Sequence, residues 1–115
     1  MWAMAGERDI TPEQAEALVR DQDAQLIDVR EDSEWDAGRI GGARHVVLGE
    51  VAQQASTIDQ ERPVVFYCRV GSRSAMAADA FRRGGYDAYS LDGGLEAWAS
   101  EGRPLEPDDG KVADH

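Results

Sequence analysis

The residues with the clearest capacity for chemistry lie together in Tyr67-Cys68-Arg69-Val70-Gly71-Ser72-Arg73-Ser74. Cys68 is the chain's one cysteine, and it has an arginine on its C-terminal side and another five residues on. The run Val64-Val65-Phe66-Tyr67 before it reads as a buried strand, being short, apolar and rich in β-branched and aromatic residues. Ser74 to Arg83 reads as a helix, with Met76, Ala77, Ala80 and Phe81 at helical spacing. A thiol placed between a strand end and a helix start faces backbone amides that favour an anion. Beside Arg69 and Arg73 it is expected to have a lowered pKa and to act as a thiolate nucleophile. An inert buried thiol fits those arginines poorly.

The totals narrow what such a nucleophile serves. A chain of 115 residues makes one domain with one core. Its net charge of −11 argues against nucleic acid and anionic membrane partners. Against that background, Val64 to Arg83 carries Arg69, Arg73, Arg82 and Arg83 with Asp79 as its one acid, a basic island around the thiol. Arg82 and Arg83 suit a helix C-terminus; Arg69 and Arg73 do not, and they suggest a small anion as substrate. One cysteine forms no internal disulfide, and a lone exposed thiolate suits a reducing cytoplasm. No signal peptide or membrane span is expected. One Cys and two widely separated His residues make no zinc pattern, so no metal or other cofactor is expected.

The flanking elements follow from local signals. Residues 1–8 read as a loose start, 9–105 as the domain, and 106–115 as a disordered acidic tail. Thr11-Pro12-Glu13-Gln14 predicts a capped helix burying Ala15, Leu18 and Val19 and ending at Asp21 to Asp23. Gln25 to Arg30 reads as a core strand, on which Asp28 and Arg30 share a face. They form either a surface ion pair of little worth or a brace for a neighbouring loop. Asp32 is expected to cap a helical turn with Trp35 packed inward, and His45 to be a structural hydrogen-bonding group. Leu48 to Ile58 is expected to be helical on a weak face of Val51, Ala52 and Ala55. Gly84-Gly85 stops the helix after the cysteine, Tyr86 to Leu91 is a further strand, and Leu95 to Ala99 a last helix with Trp98 in the core. Strands alternating with helices predict an α/β fold, a parallel central sheet with helices on both faces. Right-handed crossovers then gather Asp28, Arg30 and Cys68 at one sheet edge.

Taken together, these segments resemble the rhodanese-like single-domain sulfurtransferases. The resemblance rests on Asp28-Val29-Arg30-Glu31 with Glu34-Trp35, on Gly38-Arg39-Ile40 and Gly42-Ala43, and on Tyr67 to Ser74. Leu91-Asp92-Gly93-Gly94, Ala97-Trp98 and Gly102-Arg103-Pro104 complete it, in family order over Ile10 to Pro104. It implies a sulfurtransferase in which Cys68 takes sulfane sulfur from an anionic donor such as thiosulfate. The resulting persulfide then yields its sulfur to cyanide, a thiol or a protein. It further implies that Arg69, Val70, Gly71, Ser72 and Arg73 bind the donor and ring the sulfur with amides, and that Asp28 and Arg30 hold the loop. Arg39 and His45-Val46-Val47 depart from the family pattern, which has His and commonly Asn-Ile-Pro there.

Two other readings compete. A phosphatase or arsenate reductase of related fold needs five residues between Cys and Arg, whereas four separate Cys68 from Arg73. A sulfur-carrier or regulatory module acting on a protein partner is the other, although regulatory modules of this kind typically lose the cysteine.

Overall fold

The computed structural model describes residues 8–113. Five parallel strands form the sheet: β1 (Asp9–Ile10), β2 (Gln25–Asp28), β3 (Arg44–His45), β4 (Val64–Tyr67) and β5 (Ala88–Leu91). Their order is β1-β5-β4-β2-β3, which puts β4 at the centre, buried along its whole length. Four helices cover the sheet: α1 (Pro12–Gln22), α2 (Asp32–Ala37), α3 (Ser72–Arg83) and α4 (Gly94–Ser100). Strand parity divides the core in two. Val64, Phe66 and Ala88 face α3 through Ala77, Ala78 and Phe81. Val65, Tyr67 and Leu91 face the other way, against Ala15 and Leu18 of α1 and Leu95 and Trp98 of α4. The parallel sheet with helices on both faces is the architecture expected of alternating strands and helices.

Local chemistry explains most element ends. The Thr11 hydroxyl accepts from Gln14 N at 3.1 Å while Gln14 Oε1 accepts from Thr11 N at 2.9 Å, a reciprocal cap that satisfies two helix-start amides. Pro12 occupies the first turn, where its missing N–H costs nothing. Val19 is 37% exposed and lies at the edge of the face it was expected to bury.

Three expectations need correction. Leu48 to Ile58 is not a helix: it holds two short 3-10 turns, Leu48–Glu50 and Ala55–Thr57. Only Val51 and Ile58 are buried there, too sparse an apolar face to hold a longer helix against the sheet. The helix after the cysteine begins at Ser72 rather than Ser74. Its buried stripe is Ser74, Ala77, Ala78 and Phe81, while Met76 is 59% exposed.

The third correction concerns the acidic tail, of which residues 106–113 are described and 114–115 lie outside the described residues. Glu106 N donates to Arg39 O at 2.7 Å and Arg39 N to Glu106 O at 3.0 Å, while Lys111 N reaches Ala37 O at 2.8 Å. Leu105 and Val112 pack against the core, so residues 105–112 form a strap over the end of α2. Apolar anchors at both ends offset the entropy cost of ordering this polar stretch. Of the expected loose start, residues 1–7 lie outside the described residues. Arg8 is described, and its carbonyl accepts from Ser90 N at 2.9 Å.

The strap's closest approach is testable. A Cβ on Gly38 would stand 2.4 Å from Lys111 O, although the Gly38 backbone is extended and open to any residue. Gly38→Ala is therefore expected to displace the strap and cost about 1–3 kcal/mol, measured by denaturant unfolding. An unchanged midpoint would mean that the strap contributes nothing to stability.

Candidate active site

Cys68 follows β4 directly, and its carbonyl accepts from Leu95 N at 2.8 Å. The carbonyl of Arg69 accepts from Glu96 N at 3.0 Å, so the first turn of α4 fixes the start of the loop. Gly94 makes this possible: a Cβ there would lie 2.5 Å from the Arg69 and Cys68 carbonyl oxygens. Gly71 then turns the chain into α3 at φ 112°, in the left-handed region that side chains resist. The turn wraps the chain around the sulfur.

Sγ accepts from Gly71 N at 3.1 Å and from Ser74 N at 3.4 Å, and it lies 3.5 Å from the Ser74 hydroxyl. Burial pushes the Cys68 thiol up, since charge is disfavoured away from water. The Ser74 hydroxyl and the amides of Ser74, Gly71 and Arg73 outweigh it, and the thiol titrates below its ordinary value. The lowered value was expected, and the loop amides read in the sequence are among its causes, joined by the Ser74 hydroxyl; the thiol itself is buried, not exposed. Arg69 is ion-paired with Glu96, and Arg73 is held by Glu34 through two bonds of 2.8 and 3.0 Å. The basic island thus has acidic partners from α4 and α2. The anion-stabilising dipoles on the sulfur are those of the loop and helix start.

Ser74→Ala is expected to move the pH of half-maximal Cys68 alkylation upward, by about one unit for the loss of a hydrogen bond to a charged group. Because the folded thiol titrates below its unfolded value, stability rises with pH between the two values and is lost as pH falls through the folded one. The substitution narrows that interval. Iodoacetamide labelling across pH measures it, and an unmoved inflection would remove the hydroxyl from the account.

Asp28 and Arg30 stand at the C-terminal end of β2 and are wholly buried, which excludes the surface ion pair. Arg30 Nη2 donates to Asp28 Oδ2 at 2.6 Å and to the Gly38 carbonyl at 2.7 Å. Its guanidinium lies 5.7 Å from the centre of the Tyr67 ring, next to Cys68 in sequence. The pair joins the sheet to the end of α2, the helix that carries Glu34.

With this thiol cradle at the end of a central parallel strand, the comparison with known families becomes specific. The rhodanese-like domain family matches residues 11–101. The chain belongs to that family. Thiosulfate sulfurtransferase GlpE of Pseudomonas aeruginosa is 41% identical over 92 residues, spanning 79% of this chain and 83% of that protein. Putative sulfurtransferase YtwF of Bacillus subtilis is 35% identical over 89 residues, spanning 77% and 86%. A rhodanese-like domain protein from Staphylococcus aureus superposes with a TM-score of 0.74 at 28% identity, over 85% of this chain and 95% of that one. A rhodanese-related protein from Thermoplasma volcanium, at 23% identity and a TM-score of 0.79 over 85% and 96%, shares the fold. These relatives support sulfur transfer as the general activity of this rhodanese-like domain.

Within the rhodanese-like site, two residues were not read from the sequence as site residues. Ser74 falls one position beyond the named loop, and its signal was a serine on the buried stripe of a helix. Glu34 is 1% exposed although Trp35 was expected to be the inward residue of α2. Trp35 instead stacks on His45 at 4.8 Å, with the Arg39 guanidinium 4.8 Å from its indole ring. The helix cap is Glu31 rather than Asp32. His45 Nε2 donates to the Arg30 carbonyl at 2.7 Å, a structural bond as expected. Val70 is 45% exposed and Ser72 is exposed, so both face the mouth of the loop. Among the described residues no group of three His, Cys, Asp or Glu side chains is placed to hold a metal, and no helix is long and apolar enough to cross a membrane.

Proposed function

We propose that the protein moves sulfane sulfur from an anionic donor such as thiosulfate to a thiophilic acceptor through a persulfide on Cys68. The amide and hydroxyl cradle at Sγ is the observation that carries this reading. The thiolate attacks the outer sulfur of thiosulfate. A Sγ–S bond forms as the donor's S–S bond breaks, and sulfite leaves with the electron pair. Cyanide, a thiol or a protein thiolate then attacks the outer sulfur of the persulfide. The Sγ–S electrons return to Cys68, and the acceptor leaves as thiocyanate or a new persulfide. Splitting the transfer in two gives each step an anionic leaving group, sulfite first and then the Cys68 thiolate, which the cradle stabilises.

In this reading Arg69 and Arg73 orient the donor from the rim, held in place by Glu96 and Glu34. Val70, Gly71 and Ser72 shape the mouth, and Asp28 and Arg30 hold the elements that carry it. No cofactor enters any step. A free thiolate of this kind suits the reducing cytoplasm. The GlpE relative's name supports thiosulfate as donor. Intact-protein mass spectrometry after incubation with thiosulfate tests the cycle. One sulfur atom is expected on the protein, removed by cyanide and blocked by prior alkylation of Cys68. No adduct from thiosulfate or polysulfide would overturn the proposal.

A further inference from the structure

Behind the sulfur lies a second hydroxyl. Ser90 sits on β5 with 2% exposure, on the face where Ala88, Phe66, Ala77 and Phe81 make the core. A buried hydroxyl in apolar surroundings is costly without a partner. Ser90 Oγ lies 2.8 Å from Ser74 Oγ, the shortest of the three contacts that the Ser74 hydroxyl makes. The others are to the Gly71 carbonyl at 3.2 Å and to Cys68 Sγ at 3.5 Å.

Either hydroxyl of this pair has the geometry to donate. A hydroxyl carries one proton and two lone pairs. The Gly71 carbonyl and a thiolate sulfur only accept, so when the Ser74 proton serves one of them the bond to Ser90 is donated by Ser90. The Gly71 carbonyl also accepts from Ala75 N at 3.0 Å, so it stays satisfied when the Ser74 proton turns to the sulfur. We propose that Ser90 is a positioning residue of the sulfur site: its hydroxyl donates to Ser74 Oγ and frees the Ser74 proton to follow negative charge on Cys68 Sγ. A donor on its lone pair also polarises Ser74 and strengthens the bond it gives. The Cys68 thiolate formed before sulfur is taken up draws this proton. In the persulfide, on whose formation this last step of the inference rests, charge moves to the outer sulfur and the proton swings back to Gly71.

Other charged groups around the loop stay in place when Ser90 changes. They are Arg73 with Glu34 on α2, Arg69 with Glu96 on α4, and Asp28 with Arg30 after β2. Asp92, just after β5, is exposed.

The test compares Ser90→Ala, Ser90→Thr and Ser90→Val, the last two alike in shape and differing by a hydroxyl. Cys68 alkylation by iodoacetamide across pH is the first readout. Thiosulfate–cyanide turnover, split into kcat and KM, is the second. Ser90→Ala and Ser90→Val are expected to raise the alkylation inflection by about 0.3 pH unit, about twofold in rate below it. Turnover should fall with KM for thiosulfate unchanged, and Ser90→Thr should restore the original inflection. Folded Ala and Val variants with the original inflection would overturn the inference. So would a Thr variant that shifts as far as Val, which would make the effect one of packing. Should the Val variant fail to fold, Ala against Thr decides. Alkylation requires no sulfur transfer, so a chain that shows the shift but takes no sulfur would refute the persulfide cycle and leave the hydroxyl pair standing.

Discussion

Alanine at Gly94 is expected to slow sulfur loading of Cys68 about a hundredfold, the usual cost of moving a reacting group by about 1 Å. The added methyl would meet the carbon and oxygen of Arg69 and the oxygen of Cys68, all at 2.5 Å. Backbone cannot swing aside as a flexible side chain does, so the cysteine loop or α4 has to move. Either movement breaks the bonds from Leu95 N and Glu96 N to the Cys68 and Arg69 carbonyls, at 2.8 and 3.0 Å. With the loop start released, the amides of Gly71 and Ser74 lose their aim on Sγ, and the thiol returns toward its ordinary value. Position 94 also has φ 60°, so strain of about 1–2 kcal/mol accompanies the clash. Gly102→Ala separates the two effects: φ there is 79°, but a Cβ meets nothing within 4 Å. That variant should lose stability and keep its loading rate. Single-turnover loading followed by mass spectrometry measures both, and equal rates in the two variants would show that the contact does not position the loop.

The importance of Gly94 was only half visible in the sequence. Asp92-Gly93-Gly94 announced a turn before a helix, but not that the turn lands against the cysteine loop. What was legible was local and periodic: the Thr11 to Gln14 cap, the apolar run of β4, and the cysteine between a strand and a helix. Alternation of strands and helices then gave the parallel sheet, and the sheet brought Asp28, Arg30 and Cys68 to one edge. What stayed hidden depended on partners distant in sequence. Glu34 and Trp35 are neighbours in a six-residue helix, and pattern alone favours the tryptophan as the inward residue. Arg73 reverses that choice, because a bidentate bond with a carboxylate offsets the cost of burying Glu34. That pair and the Arg69–Glu96 pair account for the two arginines that looked unpartnered. Ser74 was obscured by its polarity, since a helical stripe sought among apolar residues settles on Met76 and Ala80 instead. The strap was obscured by composition, because Leu105 and Val112 stand apart on either side of polar residues.

Breaking the Asp28–Arg30 pair from one side is expected to cost about 3–5 kcal/mol, enough to leave a typical small domain near its unfolding limit. Both side chains are 0% exposed, and Arg30 Nε lies 2.9 and 3.0 Å from the two Asp28 oxygens. Asp28→Asn leaves a guanidinium in the core, where Nη1 already has no hydrogen-bond partner. Arg30→Met leaves a buried carboxylate that has lost its guanidinium and keeps the backbone amide of residue 30 as a donor at 2.9 Å. Each single variant should lower Tm by more than about ten degrees. The double variant Asp28→Leu, Arg30→Met should recover much of that loss, because the desolvation penalty of both ions disappears along with their attraction. Recovery of stability need not bring recovery of transfer. Arg30 also holds the Gly38 carbonyl at 2.7 Å, and Gly38 ends the helix whose Glu34 grips Arg73. Without that bond α2 loses one of its links to the sheet edge, so the stable double variant should still load sulfur several-fold more slowly than the parent chain. Thermal unfolding and single-turnover loading on the same samples separate these roles. Single variants within about 1 kcal/mol of the parent would show that the pair is not a structural brace. A double variant that loads sulfur at the parent rate would confine it to folding.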